Sequence, residues 1–441
     1  MEGKPPGTGL HSTLDAFTDR YAERTAGMTA SEIRALFAVA SRPEVVSLAG
    51  GMPYTTALPL DSVGKLMSDL MATRGAQALQ YGSGQGDPVL RELICEVMSL
   101  EGITASPEDI VVTVGSQQAL DLVTRIFCDP GDVVIAEAPS YVGALGTFAA
   151  YQAEVVHVAM DDDGLIPEAL REAIAAVQKS GKKAKFLYTI PNFHNPAGVS
   201  LAESRRDEIL AICKEAGLLV LEDNPYGLLG FDGPPTRALR ARSEDDDVVY
   251  LGSFSKTFAP GLRVGWVFAP HAVREKLVLA SEATVLCPPQ LNQLVVVEYL
   301  TTQDWRGQVE VFKDLYRERR DAMLDALTQL MPEGTTWTKP TGGFYVWLTL
   351  PEGLDSKVMQ PRALSARIAY VPGVGFYADG QGGRDMRLSY CYPEPERIRE
   401  GVRRLAGVLE QELELLETFG PTTQPVRLGH AQAETPSPDM A

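Results

Sequence analysis

A lysine with hydroxyl residues on both sides stands at 256, in Ser253-Phe254-Ser255-Lys256-Thr257-Phe258-Ala259-Pro260-Gly261-Leu262-Arg263. An amine can condense with a carbonyl, and hydroxyls with a guanidinium can hold a phosphate dianion. Taken alone, such a lysine is a solvated loop residue; its company changes that. Leu221-Glu222-Asp223-Asn224-Pro225-Tyr226 offers a carboxylate to pair with a protonated ring nitrogen and a phenol to donate to a ring oxygen. Without the rest, an Asp after a strand is a turn or cap residue. Pro191-Asn192-Phe193-His194-Asn195-Pro196-Ala197-Gly198 brings a second donor in Asn195, although Asn-Pro-x-Gly by itself is a turn. Thr113-Val114-Gly115-Ser116-Gln117-Gln118 reads as a strand, a glycine turn and a helix start, whose free N–H groups suit an anion. In isolation Ser116 would be a plain N-cap. Tyr141, in Pro139-Ser140-Tyr141, could stack on a flat ring. Arg387 lies among apolar residues in a strand-like segment, where a guanidinium needs either a bidentate anion or a structural salt bridge.

These segments need a frame that brings them together. Short apolar runs at Ile110–Val114, Val133–Ala136, Val155–Val158, Phe186–Ile190, Leu218–Glu222, Val248–Gly252 and Val264–Phe268 are bounded by turn residues. Several are separated by helical spacing, as in Glu203–Ala216. That alternation predicts an α/β domain with a mostly parallel sheet covered on both faces. Lys256, Asp223 and Asn195 then follow strand ends, where open α/β sheets place ligands. A long helical stretch from about 305 to 331 precedes strands at Phe344–Thr349 and Arg387–Cys391, which read as a smaller α+β domain. The division expected is an N-terminal segment (1–64) packing with the small domain, a large domain (65–304), the small domain (305–418) and a disordered tail (419–441).

Together the segments resemble fold-type I pyridoxal-5'-phosphate (PLP) enzymes, specifically class I aminotransferases. The nearest likeness is to the branch containing 2-aminoadipate and aromatic aminotransferases and the catalytic half of MocR-type regulators. Ser31-Glu32-Ile33-Arg34, Val46–Pro53, Leu79-Gln80-Tyr81-Gly82, Tyr370-Val371-Pro372-Gly373 and Met386-Arg387-Leu388-Ser389-Tyr390 extend the likeness over about residues 30 to 410. The resemblance implies a seven-stranded mostly parallel sheet flanked by helices, a small α+β domain, and a homodimer with shared active sites. It implies Lys256 as the Schiff-base lysine, Asp223 as the partner of the ring nitrogen, and Asn195 and Tyr226 at the phenolic oxygen. Gly115, Ser116, Gln117, Ser253, Ser255 and Arg263 would surround the phosphate, with Tyr81 contributed across the dimer and Tyr141 stacked on the ring. Arg387 would bind the substrate α-carboxylate, with Gly51 and Asn195 beside it and Arg34 bordering the site. The reaction implied is ping-pong transfer of an amino group from an aromatic, arylglycine, 2-aminoadipate or branched-chain amino acid to a 2-oxo acid such as 2-oxoglutarate. His194, Ala197 and the loop Ser83–Asp87 depart from the branch's usual pattern; placed near the substrate entrance they would bear on substrate identity and not on cofactor binding, and a lone histidine such as His194 is more often structural than catalytic.

Composition narrows the field. The 441 residues are 45% hydrophobic and carry a formal charge of −18, which disfavours nucleic acid and anionic membranes. The five cysteines are widely spaced without a CxxC, so free thiols in a reducing compartment are expected, and no metal site. No apolar run is long enough to span a bilayer, and a cytoplasmic enzyme of amino-acid biosynthesis is expected. Three other readings compete. A β-lyase, decarboxylase or cyclase would share every cofactor residue. A ligand-sensing regulator would need a DNA-binding module ahead of residue 30. A nicotinamide dehydrogenase is suggested only by Gly82-Ser83-Gly84-Gln85-Gly86, which lacks the third-glycine spacing.

Overall fold

A computed structural model describes residues 17, 20–28, 42–245 and 247–420. Arg34 with its motif, the first residues of the chain and the tail beyond Gly420 lie outside the described residues.

The strands, in chain order, are β1 (Val46–Ser47), β2 (Ile110–Val114), β3 (Val133–Ala138), β4 (Glu154–Asp161), β5 (Gly164–Leu165), β6 (Ala184–Thr189) and β7 (Leu219–Asp223). They continue with β8 (Val248–Ser253), β9 (Val264–Phe268), β10 (Thr336–Trp337), β11 (Tyr345–Thr349), β12 (Ile368–Ala369), β13 (Val371–Pro372) and β14 (Asp385–Ser389). The main sheet has the order β2-β9-β8-β7-β6-β3-β4-β5. From β8 to β4 all neighbours are parallel, while β9 runs antiparallel to both β8 and β2. The seven strands expected are present, and the two-residue β5 adds an eighth by folding back on the end of β4.

Alternation along the central strands splits the core between two faces. On β3, Val133 and Ile135 join Leu187, Val220 and Val248 on one side, against the helices Pro167–Lys179 and Glu203–Glu215. Val134 and Ala136 join Phe186, Tyr188, Leu221 and Val249 on the other. Side chains two apart share a face of a strand, so near-continuous apolar strands require this double cover.

A second, antiparallel sheet has the order β10-β11-β14-β13. It is backed by two long helices, Trp305–Leu330 and Pro395–Phe419. The N-terminal strand β1 pairs in parallel with β12. Its flanking residues Val45 and Ala49 pack with Trp347, Val371 and Phe376 beneath β14. The two sheets thus face each other across the carboxyl ends of the main-sheet strands, and the segment after β1 lies between them.

Candidate active site

A cavity of about 260 Å³ opens where these elements meet. Asp223 ends β7, Ser253 ends β8, Asn195 follows β6, and Ser116 follows β2. Parallel strands all point their carboxyl ends the same way, so four loops from one sheet edge converge without any one of them being long.

Lys256 lies on the turn after β8, and its Nζ donates to the Gly51 carbonyl at 3.1 Å. Burial pushes its pKa down to about 8, and the nearby cations Arg387 and Arg263 add to that. A fraction of the amine is therefore neutral near physiological pH. The ring of Phe344 faces it at 5.5 Å and that of Tyr226 at 6.0 Å.

Asp223 is buried, and burial lifts its pKa to about 6 against the opposing effects of Tyr188, His194 and Lys256. Its Oδ2 accepts from the Tyr188 hydroxyl at 2.8 Å. Its Oδ1 is buried without a hydrogen-bond partner, although the residue lines the cavity. Behind it, Glu101 accepts from Asn224 at 2.6 Å and from Tyr250 at 2.8 Å, and burial pushes its pKa up to about 7.

The helix Gly115–Phe127 begins at the cavity with Val114 as its N-cap and no side-chain cap. Ser116 is therefore inside the first turn and does not cap it, which leaves the N–H groups of residues 115–117 for another acceptor. Gly115 has φ +74°, and a Cβ there would run into the Arg263 guanidinium, so glycine is required. Arg263 donates to Ser255 Oγ at 3.4 Å, and Ser253 Oγ accepts from the Ser255 N–H at 3.0 Å. The Gln117 side chain is engaged elsewhere, with Gly143, Thr147 and Tyr141, so it offers the cavity only its backbone. That engagement also fixes the ring of Tyr141 at the cavity wall.

The opposite wall comes from the second sheet. Arg387 on β14 is buried, with Nη1 donating to Asn195 Oδ1 at 2.9 Å and Nη2 to the Ala49 carbonyl at 2.7 Å. Its guanidinium lies 4.3 Å from the centre of the Tyr345 ring and 5.2 Å from that of Phe376. Its Nε has no partner, and among the described residues no carboxylate comes within ion-pairing distance. A buried cation without a counter-ion is costly, and an incoming carboxylate would neutralise it.

Two positions in contact with site residues were not legible in the sequence. Tyr188 sits in the apolar run of β6 and has the pattern of a core residue. Tyr345 opens β11 and reaches Tyr226, hydroxyl to hydroxyl, at 3.5 Å. Its hydroxyl also fills the space a side chain at Gly51 would need, which accounts for that glycine.

Other expectations fall away from the cavity. His194 is fully buried behind Asn195, not at an entrance. Its Nδ1 accepts from the Ala197 N–H at 3.2 Å, and its Nε2 stands 3.0 Å from Glu137 Oε2, near enough for attraction but at an angle that makes no hydrogen bond. Ala197 is buried as well. The loop Ser83–Asp87 packs against the helix Gln290–Thr302 and β2, through Asp87 to Gln290 and Gln293 and through Gln85 to Val112. It caps the helix Pro88–Ser99 through Asp87 and is no dinucleotide site. Tyr81 is exposed and does not line the cavity of its own chain.

The residues present fit PLP. The orphaned Asp223 oxygen, the uncapped helix start beside Arg263, the neutralisable amine and the Tyr141 ring are groups of the kind that its ring nitrogen, phosphate, carbonyl and aromatic face in turn require. Comparison with known proteins agrees. Residues 43–405 match the family described as aminotransferase class I and II. The chain is 42% identical to aromatic-amino-acid aminotransferase 1 of Thermococcus litoralis, over 91% of this chain and 96% of that protein. It is 36% identical to the 2-aminoadipate transaminase of Thermus thermophilus, over 91% and 99%. Among solved structures, kynurenine aminotransferase of Pyrococcus horikoshii, crystallised with PMP, matches with a TM-score of 0.87 and 39% identity, covering 91% of this chain and all of that one.

Proposed function

The chain belongs to the class I and II aminotransferases and works with PLP, and on that premise we propose that its amino donor is an aromatic, arylglycine, 2-aminoadipate or branched-chain amino acid and its acceptor a 2-oxo acid such as 2-oxoglutarate. The observation that carries the reading is the meeting, in one cavity, of a depressed lysine amine, an unpartnered carboxylate oxygen and an uncompensated guanidinium.

When bound, PLP supplies a carbonyl to join the amino group and a ring that accepts the electrons released at the substrate α-carbon. The chain's residues do the rest. Arg387 holds the α-carboxylate, and Asn195 keeps the guanidinium in the plane that grips it. Lys256 Nζ, neutral in part because it is buried, takes the α-proton and holds it for return. Asp223 Oδ1 pairs with the protonated ring nitrogen. The N–H groups of Gly115, Ser116 and Gln117 with Ser253, Ser255 and Arg263 hold the phosphate, Tyr141 covers the ring, and Tyr226 donates to the phenolic oxygen. Tyr81, exposed on its own chain, serves the neighbouring subunit of a homodimer, and Arg34 borders the substrate pocket. The division at about residues 64, 304 and 418 and a cytoplasmic, biosynthetic role belong to the same reading.

The test is an absorbance spectrum of the purified protein before and after adding a panel of amino acids. A band at about 420 nm that converts to one at about 330 nm identifies an amino donor, because the amino group has moved to the cofactor. A band that persists with every amino acid, while ammonia or carbon dioxide is released, would replace transamination with a lyase or decarboxylase. Absence of any band after reconstitution with PLP would remove the reading.

A further inference from the structure

Tyr188 lies one residue before the end of β6, with its side chain on the cavity side of the main sheet. It is fully buried, and its ring is held edge-on by Phe148 at 5.5 Å. Burial and the adjacent carboxylate raise its pKa well above the ordinary tyrosine value, so its hydroxyl is a donor throughout the working pH range. It donates to Asp223 Oδ2 at 2.8 Å, and Oδ1 is left without a partner. The carboxylate therefore has a wall side, satisfied from within the sheet, and a cavity side left open. The other charged or titratable groups facing Asp223 are His194 from the loop after β6, Lys256 after β8 and Tyr141 after β3. Among the described residues, none of these three makes a hydrogen bond to it, and Tyr188 does.

A proton shared between a carboxylate and a ring nitrogen rests on the stronger base. Burial makes the Asp223 carboxylate a stronger base than a solvated one, which works against keeping the proton on the ring. A donor to the far oxygen withdraws charge and works the other way. We propose that Tyr188 is a positioning residue for transamination: its hydroxyl fixes which Asp223 oxygen faces the ring nitrogen of PLP and weakens that carboxylate as a base, so that the shared proton stays on the ring. This rests on the cofactor assignment above, and it predicts an effect on proton location that a packing role would not produce.

The experiment uses two proteins reconstituted with PLP labelled with ¹⁵N in the ring: Tyr188→Phe, and the full chain with 3,5-difluorotyrosine at 188. The second keeps the shape and makes the hydroxyl a stronger donor. The ¹⁵N shift is read at a fixed pH at which the pair still holds its proton, and kcat and KM are measured on each protein. Phe at 188 should move that shift toward an unprotonated ring nitrogen, as the proton passes to Asp223, and reduce kcat about tenfold while KM changes much less. Difluorotyrosine should move it toward the fully protonated ring. A wild-type PLP band with an unchanged nitrogen shift in both variants would overturn the proposal and leave the cofactor assignment standing; no PLP band in the wild type would overturn both. If Tyr188→Phe fails to fold, the difluorotyrosine protein decides alone. Lower thermal stability with the wild-type nitrogen shift would show a packing role only.

Discussion

The two walls of the cavity are built in different ways. The cofactor wall comes from one sheet: Asp223 and Ser253 end strands, and Ser116, Asn195 and Lys256 follow strands, all on the same edge. Its geometry follows once the strands pair in register. The substrate wall is a meeting of strangers. Arg387 from β14 reaches Asn195 on the main-sheet side and Ala49 in the N-terminal segment, under the ring of Tyr345 from β11. Its shape exists only when two sheets and a terminal segment have docked. Damage to the first wall should therefore remove chemistry, and damage to the second should remove recognition while the cofactor stays in place.

That contrast is breakable. Lys256→Ala should cost the largest effect, about 10⁴-fold or more in kcat, because in the proposed function the same amine both anchors the cofactor and moves the α-proton. Activity within tenfold of wild type would refute the role of the first wall. Next, Arg387→Leu should raise KM for amino acids about 100-fold, since it removes the partner of the carboxylate, while the cofactor band is unchanged. Loss of the band in that variant would mean that the two walls are not separable. Gly51→Ala should push against the Tyr345 hydroxyl and lower kcat/KM by about tenfold, with part of the loss recovered in the double variant with Tyr345→Phe. Purely additive effects would break the link between these two positions.

The smallest effect concerns stability behind the cofactor wall. Glu101 has its pKa raised by burial to about 7, above the unfolded value of 4.5. The folded state then holds a proton that the unfolded chain has lost between those values. Its contribution to stability is complete below about pH 4.5 and disappears as pH rises through about 7. Glu101→Gln should flatten the fall in Tm across that window in the cofactor-free protein. An unchanged slope would show that Glu101 titrates normally.

What the sequence made legible follows the same division. β2 and β9 were bounded to the residue, because each is a short apolar run ended by turn residues. β4 is longer than its apolar run, because Met160 and Asp161 pair with β5, a return that polar residues do not announce. β14 starts two residues early at Asp385, whose side chain accepts from Thr349 across the pair. In the site, Lys256, Asp223 and Asn195 were readable because each sits in a local motif at a strand end. Tyr188 was not, since a tyrosine in an apolar strand looks like core until the strand beside it is known to carry Asp223. His194 takes the structural part usual for a lone histidine: its neighbour Asn195 faces the cavity, and a single residue's step turns the imidazole inward against Glu137.

The bond from Arg387 to the Ala49 carbonyl spans 338 residues of chain. On the ribosome, the segment around Ala49 emerges long before its partner strand is made and waits for it. At about 5–20 residues per second, that wait is on the order of half a minute. All the strands of the main sheet, and with them every motif of the cofactor wall, are synthesised within that interval. A nascent chain can thus assemble a binding place for its prosthetic group well before it can grip an amino acid, because the substrate wall needs a strand made long after Ala49.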